Sequence, residues 1–183
     1  MENHIGKNME NNPIKKATLQ QVTEITNLVN AAYRGETSKK GWTTEANILE
    51  GSRITETELT AILSDPNTNF LVYELQNKII GTVALTNKKT EVYLGMLTIV
   101  PHLQNAGLGK KLLQAAEQWA QSLKISKIVM TVISIRAELI AYYLRNGYVD
   151  TGKKEPFPAE FNNMILHNEP LEFIVLEKHL TEN

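Results

Sequence analysis

The sequence contains no cysteine, and its four histidines are scattered along the chain. A chain without thiols has no disulfide framework and no thiolate chemistry. His4, His102, His167 and His179 show none of the spacings that are typical of metal ligands, so we expect no metal site. These absences exclude disulfide and thiolate chemistry and disfavour a metal-dependent function.

Long hydrophobic runs and an excess of one charge are also missing. No apolar run approaches the roughly 20 residues of a membrane span, and residues 1–12 are polar and lack the hydrophobic core of a secretion signal. The 19 basic and 20 acidic residues give a formal net charge of −1, which suggests no charge-driven affinity for nucleic acid or membranes. We expect a cytoplasmic protein with a flexible arm over residues 1–12.

What the sequence does contain is enough apolar material for one core. A hydrophobic content of 42% in 183 residues fits one compact domain, which we place at residues 13–180. No internal repeat or low-complexity linker divides the chain. The oligomeric state is left open between a monomer and a homodimer.

Residues 97–113, which read LTIVPHLQNAGLGKKLL, are the most informative stretch. They predict a buried strand end, a stop at Pro101, and a tight turn at Gln104–Gly109 that leads into a helix. The first turn of a helix has unpaired N–H groups and a partial positive charge. Because Gly107 and Gly109 make the loop thin, this helix start is a candidate anion site, although a purely structural turn remains an alternative.

Two common phosphate-binding motifs do not fit this loop. A Walker loop requires a serine or threonine after its lysine, and here Lys111 and Leu112 follow Lys110, so no hydroxyl is placed to hold magnesium. A dinucleotide-binding loop requires a third glycine near the start of a βαβ unit. The remaining pattern is [Q/R]-x-x-G-x-[G/A].

Periodicity and turn residues predict the elements around the loop. Capping boxes begin at Thr18 and Thr55, and short polar connections suit antiparallel hairpins before the loop. Residues 148–170 are poorly patterned. We expect helices over about 18–33, 55–64, 108–123 and 137–146, and strands over 13–17, 69–75, 78–86, 91–99, 127–133 and 171–177.

Three pieces of the chain resemble the GNAT N-acetyltransferases. They are the strand end at Leu97–Ile99, the loop from Gln104 to Lys110, and the segment Ala137–Tyr148, which is similar to the family's helix ending in Y-x-x-x-G-[FY]. The loop Tyr33–Glu45, with its G-W-T-T-E run, looks like an uncharacterised bacterial branch. The resemblance implies an α/β (α+β) fold, with a mixed, largely antiparallel sheet flanked by helices and split between two central parallel strands.

The resemblance also implies a cofactor, acetyl-CoA, and an amine substrate. Main-chain groups of the strand end would pair with the pantetheine amides, and the glycine loop would bind the pyrophosphate through N–H groups. The expected cofactor-binding residues are Leu97, Thr98, Ile99, Gln104, Asn105, Ala106, Gly107, Leu108, Gly109, Lys110 and Arg136.

Tyr143 falls where many family members protonate the departing CoA thiolate. A phenol can donate one proton across a hydrogen bond, although a tyrosine packed on the helix face is the alternative. Tyr142 is one residue too far from Gly147 for this role. The implied reaction is direct attack by a primary amine, without a covalent enzyme intermediate.

Two positions depart from the family pattern. Arg136 replaces a frequent asparagine, so it is expected to contact the cofactor, the substrate or a surface carboxylate. Thr131 stands where some members have a glutamate base, and a threonine cannot remove an ammonium proton at neutral pH. The base must therefore be elsewhere or be a water relay, and Glu45, Glu91 and Tyr93 are the candidates.

The acceptor is the least constrained part. Arg34 or Arg53 is a candidate for holding an anionic group, Tyr33 and Trp42 for an apolar wall, and Glu45 for a further substrate contact. A solvated loop with Trp42 packed on the domain is the alternative. We expect a small metabolite amine, with a peptide or protein amine as the rival. A non-catalytic acyl-CoA sensor and a nucleotide-binding module are the other functions left open.

Overall fold

The computed structural model describes residues 12–166 and 168–181. The expected flexible arm therefore lies outside the described residues, apart from Asn12. The strands are β1 (Ile14–Lys16), β2 (Thr68–Leu75), β3 (Lys78–Asn87), β4 (Val92–Ile99), β5 (Lys127–Ile133), β6 (Val149–Pro156) and β7 (Glu172–His179). The helices are α1 (Val22–Tyr33), α2 (Gly35–Ser38), α3 (Glu56–Ser64), α4 (Leu108–Ser122) and α5 (Ala137–Arg145), and 3₁₀ turns cover Leu19–Gln21, Pro101–Leu103 and Ala159–Met164.

One mixed sheet of seven strands, in the order β1-β2-β3-β4-β5-β7-β6, runs through the described part of the chain. The first four strands form an antiparallel meander. β4 and β5 are parallel, and α4 supplies the crossover that a parallel pair requires. β7 then returns antiparallel between β5 and β6. The mixed, largely antiparallel sheet with two central parallel strands is therefore confirmed.

The helices begin close to where the sequence predicts them. The hydroxyl of Thr55 accepts from the N–H of Glu58 at 3.2 Å, and the Glu58 carboxylate accepts from the Thr55 N–H at 2.8 Å, which completes the capping box. Thr18 caps a 3₁₀ turn that leads directly into α1. No helix in the described part of the chain is long and apolar enough to cross a membrane.

Different helices cover the two faces of the sheet, because alternate strand residues point to opposite sides. On β2, Phe70 and Val72 pack with α1 and α3, whereas Leu71 and Tyr73 belong to the core beneath α4. Burial of each large apolar side chain contributes about 1.5–3 kcal/mol, so α4 is firmly anchored behind the glycine loop. Its buried residues are Leu112, Leu113, Ala116 and Ala120.

The parallel strands β4 and β5 separate soon after they begin. They pair only at Val92 with Ile128 and at Tyr93 with Val129. Beyond Tyr93, the edge of β4 that faces β5 has no strand partner among the described residues. The sheet therefore opens into a split at its centre, as the resemblance implied.

A bulge in β4 lies beside this split. The register between β3 and β4 shifts between Thr82 and Ala84, and Met96 has a left-handed φ of 46°. The hydroxyls of Thr82 and Thr98 donate to the Met96 carbonyl at 2.8 and 3.1 Å. These two hydrogen bonds stabilise an otherwise unfavourable backbone conformation, and the bulge re-aims the strand end.

Strand β6 was not predicted, and the reason lies in its position at the sheet edge. Seven of its eight residues are exposed, so neither face needs a hydrophobic pattern. Charged side chains and a terminal proline are typical of an edge strand. Gly152, with a φ of 75°, lies in the register shift between Asp150 and Lys154.

The loop Tyr33–Glu45 also contains a short helix, α2, that its composition did not indicate.

Candidate functional site

The glycine loop enters α4 through a left-handed residue. Gly107 has a φ of 78° and is the N-cap of the helix, and Asn105 has a φ of 70°. The first backbone hydrogen bond of the helix runs from the Lys111 N–H to the Gly107 carbonyl. Within the described residues, the N–H groups of residues 108–110 have no acceptor. They are therefore available to an anion at the positive end of a 15-residue helix.

Gly109 allows α5 to approach this helix start closely. A Cβ atom at Gly109 would lie only 2.5 Å from the Tyr142 hydroxyl oxygen. The two helix regions enclose a cleft of about 340 Å³, which we call the cofactor-side cleft because it contains the loop expected to bind the cofactor. Its walls combine the glycine loop, the end of β4 and α5: they include Leu97, Ile99, Gln104, Asn105, Gly107, Leu108, Gly109, Lys110, Tyr142 and Tyr143.

Gln104 has a structural role in addition to lining this cleft. Its side-chain oxygen accepts from the Trp42 N–H at 2.9 Å, and its amide nitrogen donates to the Ile99 carbonyl at 3.2 Å. The Trp42 ring lies 5.5 Å from that of Tyr142, measured between ring centroids. The structure thus places Trp42, which was expected in an apolar wall for the acceptor, in the cleft beside the glycine loop.

A second cavity, of about 330 Å³, lies in the split between β4 and β5. It is lined by the bulge of β4, by β5, and by groups from α1, α5 and β6. We call it the acceptor cavity, because several residues that were expected to contact the acceptor line it. Its polar or aromatic lining residues include Tyr33, Glu45, Arg53, Tyr93, Thr131, Arg136, Tyr143 and Glu155.

Tyr143 lines both the cofactor-side cleft and the acceptor cavity. Its side chain is only 5% exposed. Burial raises its pKa well above the ordinary value of 10, with a smaller contribution from nearby Tyr33. The phenol therefore stays neutral at physiological pH and remains a hydrogen-bond donor at the junction of the two cavities.

Tyr33 connects α1 to the bulged strand. Its hydroxyl donates to the Leu97 carbonyl at 3.0 Å, and burial raises its pKa. The guanidinium of Arg53 lies over the Tyr33 ring, 5.4 Å from its centroid. This stack holds a cation in the wall of the acceptor cavity.

The model of the acetyltransferase (GNAT) family matches residues 23–148, which include α1 apart from its first residue, the glycine loop and the whole of α5. The chain belongs to the GNAT acetyltransferase family. No curated protein matches the chain. The membership indicates acyl-CoA-dependent acetyl transfer as the general activity.

Solved structures confirm the GNAT fold. The smu.2055 protein of Streptococcus mutans UA159 is 16% identical, with a TM-score of 0.71 over 92% of this chain and 99% of its own. The ribosomal-protein-S18-alanine N-acetyltransferase of Escherichia coli is 12% identical, with a TM-score of 0.68 and coverages of 93% and 94%. The PaiA N-acetyltransferase of Thermoplasma acidophilum, solved with coenzyme A, is 18% identical, with a TM-score of 0.68 and coverages of 91% and 97%.

Arg136, at the frequent asparagine position of the GNAT pattern, is paired inside the protein. It is 5% exposed, and its Nη1 donates to Oε1 of Glu45 at 3.0 Å. Oε2 of Glu45 accepts from Nε of Arg34 at 2.9 Å. Nη2 of Arg136 donates to the Thr43 hydroxyl at 2.6 Å, while its Nε has no hydrogen-bond partner in the described part of the chain. Arg136 therefore neutralises a buried carboxylate and also lines the acceptor cavity.

The candidates for a base occupy very different places. Glu45 lines the acceptor cavity, but each carboxylate oxygen already accepts from a guanidinium. Glu91 forms a salt bridge of 2.9 Å with Lys127 at the beginning of the two parallel strands. Tyr93 shares a hydrogen bond of 2.7 Å with Thr131, and both line the cavity. None of the three presents an unpartnered carboxylate to the cavity.

Sequence reasoning missed one carboxylate of the acceptor cavity, Glu155. It is exposed, lies on edge strand β6, and forms no salt bridge among residues 12–166 and 168–181. Its segment has no hydrophobic pattern, so only the strand pairing brings it to the cavity.

The described residues also contain no cluster of three or more metal-ligating side chains.

Proposed function

We propose that this protein transfers an acetyl group from acetyl-CoA to the primary amine of a small metabolite, by direct attack in a ternary complex. The observation that carries the proposal is the position of Tyr143, which lines both the cofactor-side cleft and the acceptor cavity. A sequential transfer needs two binding spaces that meet at one point. The modest volume of the acceptor cavity, about 330 Å³, favours a small molecule over a protein segment.

The cofactor half of the site fits a nucleotide with a pyrophosphate group. The free N–H groups at the start of α4 suit an anion, and the open edge of β4 suits an extended chain bearing amides. In this assignment Asn105–Lys110 hold the pyrophosphate, and Leu97–Ile99 lie along the pantetheine arm. Acetyl-CoA supplies the thioester carbonyl and the thiolate leaving group.

Tyr143 is assigned the role of hydrogen-bond donor to the leaving sulfur. Burial keeps the phenol neutral because it disfavours the tyrosinate. The neutral phenol can stabilise the developing thiolate by a hydrogen bond and pass its proton to the sulfur as the C–S bond breaks. The backbone of the bulged strand near Leu97 is the corresponding position for N–H stabilisation of the oxyanion.

Glu155 is the proposed group that attracts the substrate ammonium and accepts its proton, directly or through water. It is the acceptor-cavity carboxylate that is not bound by a guanidinium within the described residues. Because Glu155 is exposed, the proton can pass on to solvent. The Tyr93–Thr131 pair, linked at 2.7 Å, offers a hydroxyl relay on the opposite strands.

Ligand-dependent thermal unfolding tests the cofactor half. At a hundred times the dissociation constant, binding to the folded state adds about 2.7 kcal/mol, or roughly 5–10 °C for a domain of this size. We expect shifts of that order with acetyl-CoA and with CoA, but not with ATP. A shift with ATP in preference to CoA would identify a nucleotide-binding module, and no shift with any of them would reduce the glycine loop to a structural turn.

A further inference from the structure

Arg53 is a cation of the acceptor cavity without a salt-bridge partner in the described part of the chain. Its guanidinium rests on the Tyr33 ring, and its backbone N–H donates to the side chain of Asn30 at 2.7 Å. These contacts hold the residue from both ends and leave the guanidinium N–H groups available. A partly buried guanidinium in this state is suited to an anionic ligand.

The guanidinium groups of the other two arginines near the site are already engaged and are not free to bind an anionic ligand. Arg34 and Arg136 both bind the carboxylate of Glu45, at 2.9 and 3.0 Å. Arg34 also donates to the carbonyls of Glu50 and Gly51. Selectivity for an anionic acceptor must therefore come mainly from Arg53.

Beside Arg53 lies a smaller chamber of about 190 Å³. It shares Glu45, Arg53, Ile133, Pro158 and Phe173 with the acceptor cavity, and Arg34 and Ser52 complete its polar lining. The Phe157 ring lies 5.3 Å from that of Phe173 and 6.1 Å from that of Phe161, between centroids. The remaining apolar lining comes from Leu49, Ile133 and Met164.

We infer that the acceptor is an amino carboxylate with an apolar side chain. In this inference, which rests on the proposed function, Arg53 binds the carboxylate and the phenylalanine-lined chamber takes the side chain. The amine then lies in the acceptor cavity, between Glu155 and Tyr143. A carboxylate matches the planar fork of a single guanidinium. A phosphate carries more charge and would need a second cation, but Arg34 and Arg136 are both bound to Glu45.

The reaction balances without a further reactant. The substrate ammonium loses a proton to Glu155 or to water, and the free amine forms a C–N bond to the acetyl carbonyl. The C–S bond breaks, the thiolate gains a proton, and the amide nitrogen loses one. The products are an N-acetyl amino carboxylate and CoA.

Matched acceptors test the assignment. Steady-state acetylation is measured for phenylalanine, phenylalaninamide, 2-phenylethylamine and glycine, with wild type, Arg53→Gln, Arg53→Lys and the surface control Lys88→Gln. We expect kcat/KM for phenylalanine to exceed that for the amide and for glycine. Arg53→Gln should lower kcat/KM for phenylalanine by about 10- to 100-fold, with little change for 2-phenylethylamine. Arg53→Lys should recover part of the loss, and Lys88→Gln should leave all four rates unchanged.

Equal rates for phenylalanine and its amide, or an equal loss with all acceptors in Arg53→Gln, would overturn the inference while leaving amine acetylation intact. A preference for the aminophosphonate analogue of phenylalanine would replace the carboxylate by a phosphate-type anion and would also overturn it. Calorimetric titration of phenylalanine and phenylalaninamide into the CoA-saturated protein tests the anion site at Arg53 separately from the proposed acetyl transfer. Selective binding of phenylalanine without acetylation of any amine would contradict the proposed function but support the anion site.

Discussion

Arg136 and Glu45 lie 91 residues apart in the sequence, yet they form a buried ion pair with 3.0 Å between Nη1 and Oε1. The pair joins the residue that precedes α5 to the end of the loop that follows α1. Glu45 also binds Arg34. One carboxylate thus fixes the position of two cations and of the helix that carries Tyr143.

Replacement of Glu45 by Gln should destabilise the protein strongly. The substitution removes the negative charge but leaves two largely buried guanidinium groups, and loss of one partner of a buried pair costs about 3–5 kcal/mol. Urea denaturation monitored by circular dichroism measures the change. The exposed pair Lys154–Glu172 is a matched control, because it is a surface salt bridge, and Glu172→Gln should change the stability far less than Glu45→Gln. Similar losses in the two variants would contradict the role of the buried pair.

Tyr143→Phe should reduce kcat by about 100-fold or more, the range of general acid catalysis, with little change in the dissociation constant of acetyl-CoA. The hydroxyl is assigned to the transition state, so ground-state binding of the cofactor should be retained. Stopped-flow or steady-state detection of released thiol gives kcat, and calorimetry gives the dissociation constant. A parallel loss in both quantities would indicate that Tyr143 only packs the helix.

Tyr148→Phe provides the control for that substitution. Tyr148 is 2% exposed, and its hydroxyl has no hydrogen-bond partner in the described part of the chain. Removal of an unsatisfied buried hydroxyl should leave kcat unchanged and should be neutral or stabilising by about 1 kcal/mol. A large loss of activity in Tyr148→Phe would show that removal of any buried phenol hydroxyl in this region disturbs the site. The loss in Tyr143→Phe would then not identify a chemical role for that hydroxyl.

Gly109→Ala should weaken acetyl-CoA binding by roughly tenfold, because overpacking typically costs about 1–3 kcal/mol. The new Cβ would meet the Tyr142 hydroxyl at 2.5 Å, and displacement of that ring would narrow the cleft. The next ring atom, Cζ, lies at 3.5 Å, an ordinary contact distance. The double variant Gly109→Ala, Tyr142→Phe should therefore recover much of the affinity, as measured by calorimetry. Unchanged affinity for acetyl-CoA in Gly109→Ala would show that the cofactor does not bind where Gly109 and Tyr142 come together.

The buried tyrosines should make the protein sensitive to alkali. Burial raises the pKa of both Tyr33 and Tyr143 in the folded state. Their stabilising contribution is therefore complete below the unfolded-state pKa of about 10 and is lost as the pH rises above it. We expect the free energy of unfolding to fall above about pH 10, and tyrosinate absorbance from these residues to appear only with unfolding. A reversible titration near pH 10 in the folded protein, absent in Tyr143→Phe, would contradict this.

The fold could be predicted, and the glycine loop could be placed at the start of a helix, because both depend on local patterns. The glycine loop, the helix stripe of α4 and the antiparallel hairpins each follow from residues that are near one another in the sequence. Strand β6 could not be predicted, since an edge strand with seven exposed residues carries no hydrophobic alternation.

The surroundings of the residues expected to contact the acceptor depend on tertiary contacts, which the sequence does not display. Glu45 was proposed as a base or a substrate contact, but its two arginine partners become visible only in the folded chain. Trp42 was placed in the acceptor wall, whereas it lies beside Tyr142 in the cofactor-side cleft. Glu155 and the phenylalanine chamber belong to the unpatterned stretch, and no local signal pointed to them.

Amine-dependent release of CoA from acetyl-CoA is the most direct test of the central claim. Purified protein is incubated with acetyl-CoA and phenylalanine or 2-phenylethylamine, free thiol is followed with time, and the acetylated amine is identified by mass spectrometry. We expect thiol release that requires an amine, an equal amount of N-acetylated product, and a fall of about 100-fold in Tyr143→Phe. Tight binding of acetyl-CoA without amine-dependent release across an amine panel would contradict catalysis and favour an acyl-CoA sensor.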